Sequence, residues 1–128
     1  MLNKIVIEVI PHDKQRYPTV GDWYRDENND LVIKVSDLGD RRYEALVAIH
    51  ELVEVLLCDE ANIDQKVVDD FDMAYEKNRL PSDKSEPGDD PKAPYYFQHQ
   101  YASLIERMLS AYFKVDWEKY ADAVEKVL

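Results

Sequence analysis

His50, Glu51 and Glu54 stand in His-Glu-x-x-Glu spacing inside a run, residues 45–58, whose other members are all apolar. At about 100° per residue a helix sets Glu54 roughly 40° from His50 and Glu51 roughly 100° from it, so three polar side chains share one arc of a lipophilic rod. An i, i+4 His/Glu pair can aim an imidazole nitrogen and a carboxylate oxygen at one cation. The glutamate between them can then stand beside a water on that cation. An ionised Glu54 withdrawn from water without a partner costs several kcal/mol, so it must be paired, protonated or metal-bound. The alternatives to a metal are a hydrogen bond to His50 or an ion pair with Arg16, Arg42 or Arg107.

A two-ligand helix needs a further donor to complete a four-coordinate site, and His99 on a predicted helix over residues 95–113 is the best candidate. Glu106 lies seven residues on, almost superposed along the axis, with small Ala102 and Ser103 between, which leaves room for an ion. The expected centre is therefore His50, Glu54 and His99 around Zn²⁺, with Glu51 as general base and Asp72 and Glu106 as possible extra ligands. Two anionic groups near one ion also suit Mn²⁺ or Fe²⁺. His12 follows Pro11 in a polar turn and reads as a solvated turn residue.

The elements that must position these groups are legible along the chain. Residues 4–10, KIVIEVI, are β-branched, end at Pro11 and read as a well-buried strand. Residues 20–25 and 31–35 alternate as strands, and the Asp26-Glu27-Asn28-Asn29-Asp30 stretch between them has hairpin-turn chemistry. Asp40 is the expected N-cap of the central helix. A second helix spans about residues 64–79 with Val67, Val68, Phe71, Ala74 and Tyr75 on its apolar face. Phe97, Tyr101, Leu104, Ile105, Met108 and Tyr112 are expected to supply the packing contacts of the third, and Asp116 to cap a short fourth. Residues 80–94 hold four prolines and a cluster of acids, a loop able to cover a pocket. The expectation is one α+β domain over residues 1–128: a small antiparallel sheet of about three strands in the first 36 residues, then three to four helices from residue 40.

Composition narrows the function classes. A net charge of −11 without a basic stripe argues against direct nucleic-acid binding, which depends on neutralising phosphates with Lys and Arg. No run approaches the ~18 apolar residues of a membrane span, and the apolar part of the N-terminus is too short for a signal peptide and carries Glu8. The single cysteine, Cys58, excludes an internal disulfide and suits a reducing cytoplasm.

RYPTVGDW at residues 16–23, VSDLGD at 35–40, YEALVAIHELVEVLLC at 43–58, Phe71 with Asp72, and EPGDDPKAPYYFQHQ at 86–100 together resemble small uncharacterised proteins encoded by bacteriophages and prophages. That resemblance implies a host-cell cytoplasmic location and brings no activity. His50, Glu51 and Glu54 after a strand-rich segment also resemble zincin-like metallopeptidases, with glutamate in place of the second histidine. This implies metal ligation by His50 and Glu54, proton abstraction by Glu51 and a peptide or other small substrate. The expected function is thus a metal-dependent hydrolase of zincin type. Two rivals stand beside it: an acidic accessory protein that binds a host protein, presenting Asp69, Asp70, Glu86, Asp89 and Asp90 as DNA presents phosphates, and a Mg²⁺-dependent helical nucleotide pyrophosphatase using Glu51, Glu54, Asp72 and Glu76.

Overall fold

A computed structural model describes residues 4–128. Three strands, β1 (Ile5–Ile10), β2 (Gly21–Arg25) and β3 (Leu31–Ser36), precede four helices, α1 (Arg41–Glu60), α2 (Gln65–Lys77), α3 (Tyr96–Tyr112) and α4 (Trp117–Val127). Single 3₁₀ turns at His12–Lys14 and Pro87–Asp89 interrupt the loops. The architecture is α+β.

The turns and caps follow local chemistry. Asp26 accepts from the backbone N–H groups of Asn28 and Asp30 at 2.9 and 3.0 Å, and Asn29 takes the left-handed conformation at φ 60°, so the chain reverses into the β2–β3 hairpin. Asp40 caps α1 by accepting from Arg42 N at 2.8 Å, and Asp116 caps α4 by accepting from Lys119 N at 3.1 Å.

The sheet is mixed rather than antiparallel throughout. Its order is β1-β3-β2, with β2 antiparallel and β1 parallel to β3. The connection from β1 to β2 passes the end of β3, where Asp37 N bonds Ile10 O and Ser36 N bonds Val20 O, and the hairpin then returns β3 into the gap. The central strand is consequently the buried one, with Leu31, Ile33 and Val35 fully enclosed, whereas β1 is an edge whose Ile5, Ile7 and Val9 stay about half exposed. A β-branched run marks a strand and does not say which strands will flank it.

α1 lies against β2 and β3 on one side and α3 on another. Its Leu46, Val47, Val55 and Cys58 join Trp23, Leu31, Ile33 and Val35 in a core that Val68, Tyr95 and Tyr120 extend. α3 reverses the expected orientation. His99, Ala102 and Ser110 are its buried residues, while Phe97, Tyr101, Leu104, Met108 and Tyr112 face outward. Glu106 and His99 lie on the side of the helix opposite those five, so turning them towards α1 necessarily turns the apolar side away. Among the described residues, no helix is long and apolar enough to cross a membrane.

Candidate metal centre

α1 carries His50 and Glu54 one turn apart on its buried side, and α3 brings His99 opposite them. His50 Nε2, Glu54 Oε2 and His99 Nδ1 form a small triangle: 3.2 Å between His50 and Glu54, 2.9 Å between His99 and Glu54, and 3.2 Å between the two ring nitrogens. Ligands about 2.0–2.1 Å from a tetrahedral zinc stand roughly 3.3 Å from one another, so the triangle has the dimensions of three corners of such a site. All three residues are buried.

Two of the three corners are hydrogen-bonded from behind, and the third faces two acids. His50 Nδ1 lies 2.7 Å from Glu106 Oε1, and because a carboxylate only accepts, this nitrogen carries the hydrogen and Nε2 presents its lone pair inward. Glu54 Oε1 accepts from the Trp23 indole N–H of β2 at 3.2 Å, which leaves Oε2 for the triangle. His99 Nε2 stands 3.0 Å from Glu86 and 3.2 Å from Asp89, within ion-pair range. Neither oxygen lies on the N–H direction, and this buried nitrogen makes no hydrogen bond among the described residues. Gly88, in the turn bearing these two acids, passes so close beneath His99 that a Cβ there would fall 2.3 Å from the ring.

With the outer nitrogen of His50 protonated toward Glu106, the lone pairs of His50 Nε2 and Glu54 Oε2 meet beside His99 Nδ1. Hydrogens on the inner ring nitrogens or a cation can bridge them. In protonated form, burial disfavours both imidazolium ions, but hydrogen bonds to Glu106 and Glu54 hold the His50 pKa well above its usual value. The carboxylates of Asp89, Glu54 and Glu86 likewise outweigh burial and push His99 up to about 12. Burial alone would raise the Glu54 pKa; the hydrogen bonds of His50 and His99 bring it down to about 2. The surroundings thus favour positive charge on the two imidazoles beside an ionised Glu54.

Glu51 differs from its neighbours. Among the described residues its carboxylate has no hydrogen-bond partner, and it rests against Gly21 of β2, where a Cβ would approach Glu51 Oε1 to 2.6 Å. Burial, with the charge of Glu54 second, raises its pKa well above that of an ordinary glutamate. It borders, together with His50, Glu54, His99, Asp72 and Tyr17, a cavity of about 720 Å³.

Neither a family model, nor a curated protein, nor a solved structure matches this chain.

The structure brings together the expected His50, Glu54 and His99. Glu106 adjoins them on the outer side of the His50 ring rather than in the triangle. Asp72 does not join, because its two oxygens accept from the hydroxyls of Tyr95 and Tyr17. His12, in its turn, bonds Ser36 Oγ through Nδ1 at 2.8 Å. The three candidate arginine partners of Glu54 are engaged elsewhere: Arg16 with Asp22 and Asp69, Arg42 with Asp40, and Arg107 over the Trp117 ring at 4.5 Å. Glu51, Glu54, Asp72 and Glu76 do not gather into one group among the described residues, and Glu76 is paired with Arg79. Of the acids that could form a DNA-like ridge, Asp69 binds Arg16, Asp70 binds Lys66, and Glu86 and Asp89 approach His99.

Trp23, Glu86 and Asp89 adjoin the triangle, a placement that the sequence does not reveal. The loop bearing the two acids reads as a cover for a pocket and its acids as part of an exposed ridge, and nothing local links the Trp23 indole to a carboxylate 31 residues away.

Proposed function

We propose that this chain is a metal-dependent hydrolase of zincin type in which His50, Glu54 and His99 hold a divalent cation, zinc foremost and Mn²⁺ or Fe²⁺ as alternatives. One observation carries the reading: three lone-pair donors from two helices converge at zinc-like spacing, with the outer nitrogen of His50 fixed by Glu106 and that of His99 facing Glu86 and Asp89. The carboxylate behind a ligating imidazole is the usual means of fixing its tautomer, and Glu106 supplies it here.

A cation bound there supplies Lewis acidity and a water that ionises near neutral pH. With a cation held there, Glu51 would be the group to take the proton of such a water as it adds to a carbonyl carbon and to pass it to the leaving group, a role for which its raised pKa brings it closer to neutrality. Gly21 gives Glu51 space beside β2, and the adjoining cavity receives the substrate. A peptide is the substrate suggested by the likeness to zincins, and a host-cell cytoplasmic setting by the likeness to phage proteins.

Metal analysis of protein prepared without chelator tests the reading. About one equivalent per chain is expected, lost in His50→Ala, with hydrolysis of a mixed fluorogenic peptide library abolished in Glu51→Gln although metal is retained. Metal-free protein whose melting does not respond to added Zn²⁺, Mn²⁺ or Fe²⁺ would end the proposal.

A further inference from the structure

α3 turns an uncharged apolar face to water. Phe97, Tyr101, Leu104, Ile105, Met108 and Tyr112 are 70, 62, 58, 36, 65 and 83% exposed. At 100° per residue they occupy an arc of only about 100°. In a chain of net charge −11 this arc contains no acid, and its margins are Gln98, Gln100 and Arg107. Taking about 200 Å² for each ring and roughly half to two-thirds of that for each aliphatic side chain, the six expose about 590–640 Å². That is at the top of the ~300–600 Å² range of the largest apolar patch on a typical monomer, and with the flanking residues it approaches the ~800 Å² per partner of a standard stable interface.

The order of the residues points to the occupant. Phe97 and Tyr112, Tyr101 and Met108, and Leu104 and Ile105 are each equidistant from a point midway between residues 104 and 105. Around the helix, the two members of each pair lean equally to opposite sides of one centre line. We propose that this face joins two copies of the chain, their α3 helices antiparallel about a two-fold axis at that midpoint. Phe97 then lies level with Tyr112 of the second copy, Tyr101 with Met108, and Leu104 with Ile105. Members of a pair interleave across the seam instead of colliding, every apolar level meets an apolar level, and the helix dipoles oppose. Ring–ring and sulfur–ring contacts fill the two outer levels. An anionic membrane is the poorer occupant, since binding it needs a basic margin and this chain is strongly acidic.

Sedimentation equilibrium of the full chain should give twice its 15.0 kDa. Met108→Glu, at an exposed position, should keep the wild-type circular dichroism and become monomeric, with the dissociation constant raised about 100-fold or more by an unpaired charge in the seam. Adding Tyr101→Lys to the same chain should restore the dimer, because antiparallel packing sets the introduced lysine of each copy beside the introduced glutamate of the other. The proposal is overturned by a wild-type monomer at high micromolar concentration, whether free or floating with lipid vesicles. It is equally overturned by a dimer that survives Met108→Glu, or by a double variant that stays monomeric.

Discussion

Glu54 of α1 and Asp72 of α2 are both buried carboxylates, 5 and 8% exposed, and their environments drive them in opposite directions. Glu54 faces two imidazoles and an indole N–H, and against the cost of burial it is held ionised with its pKa brought down to about 2. Asp72 has two phenol hydroxyls for partners, and burial prevails, taking its pKa up to about 7. Hydrogen-bond donors are present in both places. What separates them is that the imidazoles bring charge and the phenols do not, so only Glu54 belongs to a centre suited to cationic ligands.

The largest expected effect of breaking that contrast is at Glu54. Glu54→Gln leaves two protonated imidazoles facing a neutral group, which should cost about 3–5 kcal/mol of metal-free stability in urea denaturation at pH 7 and eliminate metal binding by calorimetry. Wild-type values for both would show that Glu54 carries no charge worth pairing.

The pH dependence of the two acids should have opposite signs. Glu54 titrates lower when folded than when unfolded, so its contribution is present above the ordinary glutamate range and disappears as pH falls towards 2. Asp72 titrates higher when folded, so its contribution is complete below about pH 4 and is lost as pH rises to 7. Asp72→Asn, which resembles the protonated side chain, should remove up to ~4 kcal/mol of decline across that window relative to wild type. Parallel stability curves for the two metal-free proteins would refute the assignment.

Smaller effects sharpen the picture of the outer groups. Glu106→Gln keeps the size of the side chain and weakens its hold on His50 Nδ1, with metal affinity expected to drop about 10–100-fold in competition with a chromogenic chelator. Trp23→Phe keeps the ring in the core and deletes one N–H to Glu54, for a loss of about 1 kcal/mol in thermal unfolding. If Trp23→Phe proved costlier than Glu106→Gln in metal affinity, the indole rather than the carboxylate would be the principal positioning group.

His50 and Glu54 are legible in the sequence because helical spacing alone sets them one turn apart. His99 follows from the requirement for another donor, and Glu106 is recognisable as a neighbour though not on the correct side of a ring. Asp40, Asp116 and the turn at residues 26–30 are legible for the same reason, since caps and turns are satisfied within a few residues. The parallel placement of β1 is not. Strand pairing is settled by partners distant in the chain, and the apolar runs of β1 and β3 are too alike to reveal which takes the centre.

By itself, then, the sequence determined the elements, their caps and the polar arc of α1, all consequences of backbone geometry over a few residues. It also determined that α3 has one apolar side, but not the direction in which that side points. Tertiary structure decided that direction, together with the indole behind Glu54 and the acids beside His99. A helix has a single azimuth, and α3 is turned so that His99 and Glu106 meet their partners inside, which leaves six apolar residues facing outward.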